Sequence, residues 1–123
     1  MTTATRNPAH ELGRQGEHLA ADHLVKQGLV VLSRNWRCRD GELDIVATDG
    51  RTLVVCEVKT RSGEAFGLPA ESVDATKARR VRAATHAWLR RYGVGWCPVR
   101  FDVIAVLWPA GEQPALEHLR GAF

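Results

Sequence analysis

The chain has 123 residues, enough to bury a core without disulfides or a structural metal, and its 45% hydrophobic and 25% charged content is that of a globular protein. No apolar run approaches the roughly 20 residues needed to cross a membrane, and the polar residues at the N-terminus lack an apolar signal core, which argues for retention in the cytoplasm. A formal net charge of +3, with a pI near 9.1, permits nucleic-acid binding without demanding it.

Residues 1–6 read as a flexible tail ahead of a single domain over residues 7–123. Asn7 can cap a first helix with Pro8 in its first turn, and Gly28 can close it. Leu12, Gly16, Leu19, Ala20, His23 and Gln27 then form one stripe at helical spacing, with Glu17 on its flank beside Gly13 and Leu24. Leu29-Val30-Val31-Leu32 predicts a first strand, and Asn35-Trp36-Arg37 would leave it. Asp40-Gly41 turns the chain into a hairpin with strands over 43–47 and 52–59, joined at Asp49-Gly50, a pair that favours a two-residue turn between apolar runs. Residues 61–69 read as a loop. A second helix is expected over 73–92, with Ser72 as cap, Gly93 as stop, and Val81, Ala84, Thr85, Trp88, Leu89 and Tyr92 on its apolar side. A strand over 99–108 follows, and residues 116–123 suit an edge strand or a helical turn. The order implies an α/β fold: a mixed central sheet flanked by helices in three layers, with the second helix as a parallel crossover.

Chemistry concentrates in the hairpin. A two-residue turn sets Asp44 opposite Val55 and Glu42 opposite Glu57, so Asp44 and Glu57 lie diagonally on one face, roughly 7–8 Å apart at the backbone. Lys59 follows Glu57 on that face. An exposed strand face could carry Glu57 and Lys59 as plain solvated residues. Three clustered acids and an apolar run, Leu53-Val54-Val55-Cys56, leading straight into the charges weigh against that, because buried charges need partners or a metal. Asp44 and Glu57 suit a hydrated Mg²⁺ or Mn²⁺, with the Val58 carbonyl as a third ligand. Lys59 could orient or deprotonate an attacking water, or hold a phosphate oxygen. Glu17 is either an exposed acid favoured near a helix N-terminus or a fourth acid of the site. Glu42 is better suited to pair with Lys59 or an arginine.

Gly13-x-x-Gly16-Glu17-x-x-Ala20, Asn35-Trp36-Arg37, Gly41-Glu42-Leu43-Asp44, Glu57-Val58-Lys59-x-Arg61, Lys77 and Arg100-Phe101-Asp102-Val103 together resemble the YraN-like family of small bacterial proteins. That family is similar to the PD-(D/E)XK nucleases, which share a restriction-endonuclease-like fold with Holliday-junction resolvases. The resemblance implies Asp44, Glu57 and Lys59 as the core site, Glu17 as the added helix acid, and Lys77 close to the catalytic face. Leu43 stands where the superfamily's proline would precede Asp44.

The second helix is the most cationic element. Its Lys77, Arg79 and Arg80, with Arg61, are candidates for contact with nucleic-acid phosphates, against a plain solvated face. Trp88 reads as core, whereas Trp36, between Arg34 and Arg37, could stack on a base. None of the five histidines has ligand spacing, and none is assigned a role. Cys38, Cys56 and Cys97 are widely spaced and form no Cys-x-x-Cys pair, which argues against a disulfide framework or zinc site and suits a reducing cytosol. The reading is a Mg²⁺- or Mn²⁺-dependent endonuclease acting on DNA, with branched or damaged DNA as candidate substrates. A homodimer is the assembly that two-fold cleavage of a junction would require. The runner-up is a non-catalytic nucleic-acid-binding module or a structural partner in a DNA-processing complex.

Overall fold

A computed structural model describes residues 8–63 and 73–123. The predicted tail, the Asn7 and Ser72 caps and residues 64–69 of the predicted loop lie outside the described residues. The elements are α1 (Pro8–Lys26), β1 (Val30–Cys38), β2 (Gly41–Thr48), β3 (Leu53–Arg61), α2 (Ala75–Arg91), β4 (Val99–Leu107) and β5 (Ala115–Leu119). The strands lie in the order β1-β2-β3-β4-β5. Every neighbouring pair is antiparallel except β3 and β4, which run parallel. A parallel pair needs a long crossover, and α2 lies on it.

The helices cover opposite faces. On one, Ala20, Ala21 and Leu24 of α1 pack with Ile45, Cys56 and Ile104. On the other, Val81, Ala84 and Trp88 of α2 pack with Leu43, Val46 and Val55. The α/β class, mixed sheet and three layers are as the sequence implies. The buried stripe of α1 differs from the predicted one: Gly16, Ala20 and Leu24 are inside, and Gln27 is exposed. Gly16 sets this rotation, since a Cβ there would fall on the Thr60 side chain. Only glycine lets α1 lie so close to β3.

Two strand predictions need correcting. β1 does not end before Asn35-Trp36-Arg37 but runs through it, pairing Trp36 with Leu43 and Arg37 with Glu42. Polar residues are no obstacle on an antiparallel edge strand with one wet face. The β2–β3 turn is not the two-residue form, because Thr48 pairs with Leu53 and residues 49–52 make the loop. The Asp49 carboxylate accepts the Arg51 and Thr52 amides, both at 2.8 Å, and the Thr48 hydroxyl donates to the Thr52 carbonyl at 2.8 Å. Side chains thus complete a wider turn. Helix α2 starts later than predicted because Asp74 caps it, its carboxylate accepting the Lys77 amide at 2.8 Å. The chain end forms an edge strand, β5.

Candidate active site

The ends of β2 and β3 come together under the N-terminal turns of α2. Backbone pairing runs from Thr48 and Leu53 to Ile45 and Cys56. Past that point carboxylates replace the ladder: the Asp44 amide donates to Glu57 Oε2 at 3.3 Å, and the Val58 amide donates to Asp44 Oδ2 at 2.9 Å. The corrected register carried one step further sets Asp44 directly opposite Glu57, closer than the predicted diagonal. Glu42 is not opposite Glu57 as predicted; it is exposed and pairs with Arg37 at 3.5 Å, the arginine alternative.

Glu57 is 4% exposed. Burial first, then Asp44, pushes its pKa up to about 8, against the Asp44 amide and Lys77. Burial also raises Asp44, opposed by the Val58 amide and Lys77. The Lys77 ammonium stands 3.9 Å from Glu57 Oε1, which places it where the resemblance implies. Glu17 comes in from α1, one residue past the glycine that brings the helix onto the sheet. Burial first and Asp44 second raise its pKa to about 6, with Arg34 and a side-chain hydrogen bond from Asn35 acting the other way. Its Oε1 is buried and has no hydrogen-bond partner. Glu17 is therefore part of the acidic group and not a solvated helix acid.

Two clefts flank these acids. One, of about 360 Å³, is lined by Glu42, Asp44, Glu57, Lys77 and Arg80 under α2. The other, of about 510 Å³, is lined by Gly13, Arg14, Glu17, Asn35 and Arg37 along α1. Lys59 is exposed, two residues beyond Glu57 on the strand. Arg79 points along α2, donating to Thr76 at 3.3 Å, and does not line the α2 cleft. Arg61 lines a third cleft with Pro8, Leu12 and Thr60, apart from the acids. Trp36 is not free to stack on a base; it packs half-buried against the α2-side core.

The side-chain donors of the acidic group are all oxygen: the Asp44 and Glu57 carboxylates and the free oxygen of Glu17. Among the described residues no three His, Cys, Asp or Glu side chains close into a cage. Two carboxylates with room for water fit Mg²⁺ or Mn²⁺, hard ions that keep part of their hydration shell.

Two features escaped the sequence reading. Asn35 has φ 50, the sole positive value among the described non-glycine residues. Nothing in its neighbours signals that. A second buried polar group lies away from the acids: Asp102 accepts from Arg100 at 2.9 and 3.0 Å, from the Gly121 amide at 3.0 Å, and lies 2.8 Å from His118 Nε2. The other ring nitrogen of His118 is 3.1 Å from His23 Nε2. Leaving every histidine without a role therefore misses a half-buried pair. The signal available was Asp102 in an otherwise apolar strand, with Arg100 on the same face.

Residues 16–106 match the model of the uncharacterised protein family UPF0102. A UPF0102 protein of Acidothermus cellulolyticus is 51% identical over 129 residues, covering 97% of this chain and 98% of the relative. Another, of Frankia alni, is 52% identical over 112 residues, covering 91% and 93%. Among solved structures, the Holliday junction resolvase Hjc of Archaeoglobus fulgidus is similar with a TM-score of 0.44 and 20% identity, over 85% of this chain and 75% of that one. With most of its length matched by the family model and half its residues shared with full-length members, the chain belongs to the UPF0102 family, the YraN-like family that its motifs resemble.

Proposed function

We propose that this protein is a cytoplasmic, Mg²⁺-dependent nuclease that hydrolyses phosphodiester bonds in DNA. The observation that carries the reading is the meeting of Asp44 and Glu57 where the β2–β3 ladder opens, Glu57 buried and Asp44 half-buried, with one partly exposed lysine 3.9 Å from Glu57 as counter-charge. Two such acids repel each other and lose hydration. A chain that used this face only to hold a polyanion would gain nothing from them.

Asp44, Glu57 and the Val58 carbonyl would hold the divalent ion, whose chemistry is to neutralise phosphoryl charge and acidify a bound water. Glu17 would orient that water through its free oxygen. Lys59, exposed beside Glu57, would hold or deprotonate the attacking water or bind a phosphoryl oxygen. Lys77 and Arg80 line the same cleft and would contact the backbone on either side of the scissile phosphate. Arg79 and Arg61 stand farther off, where they would meet flanking phosphates. Branched and damaged DNA, and a homodimer for two-fold cleavage, belong to this proposal as well.

The test is incubation of the purified protein with linear, nicked, flapped and four-way-junction DNA in Mg²⁺ or Mn²⁺. Metal-dependent cleavage is expected, reduced about 10²-fold or more by Lys59→Ala, the scale of a lost preorganised charge. Glu57→Gln should be at least as inactive and should also lose Mn²⁺ binding in calorimetry. A parent that binds DNA but cuts none of the panel would overturn the nuclease reading in favour of a binding module.

A further inference from the structure

The left-handed residue Asn35 lies in the middle of a strand, where such a backbone is costly for residues other than glycine, asparagine and aspartate. Its effect shows in which way the neighbouring side chains point. Ser33 faces α2, accepting the Trp88 indole N–H at 3.0 Å. Arg34 faces α1, 3.5 Å from His18. Simple alternation would return Asn35 to the α2 face, yet it lines the α1 clefts together with Glu17. Trp36 then packs on the α2 side and Arg37 lines the α1 cleft. Two successive residues thus share a face, and the phase of the strand inverts at Asn35.

The partner strand inverts at the same level. Arg34 pairs with Ile45 and Trp36 with Leu43, so Asn35 falls opposite Asp44. Ile45 belongs to the α1-side core and Leu43 to the α2-side core. Asp44, at the change of face, turns its carboxylate between the strands to the Val58 amide. From this geometry we infer that Asn35 is a positioning residue of the acidic site: its backbone sets the inversion that turns Asp44 inward, and its side chain, lining the same clefts as Glu17, steadies that carboxyl while Oε1 stays free. The inference rests on the nuclease reading, since it assigns Asn35 to the support of that site's acids.

Asn35→Gly keeps the left-handed backbone and removes only the amide. The experiment measures Mn²⁺ affinity by calorimetry, and DNA cleavage, for the parent, Asn35→Gly, Glu17→Gln and the double variant, with urea midpoints of the metal-free proteins as the folding check. Loss of an outer-shell group that orients a ligand or its water typically costs 10- to 100-fold in metal affinity or activity. Asn35→Gly is expected at the low end, about tenfold, with no further loss when added to Glu17→Gln. If Asn35→Gly does not fold, the same cycle is run with Asn35→Asp, which also tolerates the left-handed backbone, and its effect must likewise vanish beside Glu17→Gln. Parent-like affinity in the Asn35 variant, or losses that add in the double variant, would sink the inference alone. A parent that neither binds Mn²⁺ nor cuts DNA would remove the nuclease reading and this inference with it.

Discussion

The protein buries carboxylates in two places and treats them in opposite ways. Asp102 is fully buried, yet Arg100 holds it with two bonds, the Gly121 amide and His118 complete its shell, and His23 backs the histidine. Burial works to raise its pKa, but Arg100, the Gly121 amide and His118 together hold it below the usual range. Glu57 is buried nearly as deeply, and burial with Asp44 beside it lifts its pKa to about 8. A buried charge with every lone pair matched ties elements together, here β4, β5 and, through His23, α1. One left short of partners is held there at a cost in stability, and such groups concentrate at functional sites. Burial of an acid, taken alone, does not distinguish the two; the number of donors and counter-charges around it does.

The contrast can be broken most directly at Asp102. Asp102→Ala should cost about 3–5 kcal/mol in urea unfolding, since it strands the partners of a buried ion pair. Metal-free Glu57→Gln should unfold no more easily than the parent at pH 8. Reversal of that order would mean the acidic pair is the structural one.

Titration sharpens the comparison. Folded Glu57 binds its proton more tightly than an ordinary carboxyl, its pKa being about 8 against 4.5, and Glu17 does so at about 6. Protonation therefore favours the folded state: this stability is complete below about pH 4.5 and is lost as pH rises to about 8. Asp102 has the opposite sign. Its contribution is present above the ordinary value of 3.8 and disappears as pH falls through its lowered folded pKa. The metal-free protein should lose on the order of 3–5 kcal/mol between pH 5 and 8, read as a falling Tm. Mn²⁺, or Glu57→Gln, should flatten that fall. A pH-independent Tm in the metal-free parent would contradict the unmet charge at Glu57.

The smallest effect concerns α2. Arg80 lines the acidic cleft and Arg79 does not. Arg80→Ala should lower the salt dependence of DNA affinity by about one unit of log–log slope, and Arg79→Ala by less. Equal slopes in the two variants would make the cleft irrelevant to binding.

Much of this was legible in the linear chain. Apolar periodicity located both helices and four of the five strands, the last segment staying open between strand and helical turn, because period 3.6 and period 2 are local properties of a backbone packed on one side. The spacing of Asp44, Glu57 and Lys59 around a turn brought the acids together even though the turn itself was misjudged. A two-residue loop was the local preference of Asp49-Gly50; the Asp49 and Thr48 side chains stabilised a longer one. Arg79 and Arg80 are adjacent in sequence, and only the docking of α2 decided which of them faces the cleft.

The sequence by itself determined the α/β class, the buried face of α2 around Val81, Ala84 and Trp88, and the pair of hairpin acids, since each depends on neighbours a few positions apart. Tertiary structure decided the rest. Glu17 meets Asp44 because Gly16 lets α1 rest on Thr60. His23 meets His118 across 95 positions of chain, and Asn35 inverts β1 opposite Asp44. Periodicity records which way a side chain points and nothing about what stands opposite it; burial and pairing between distant segments supply that, and they separate the matched acid from the unmatched ones.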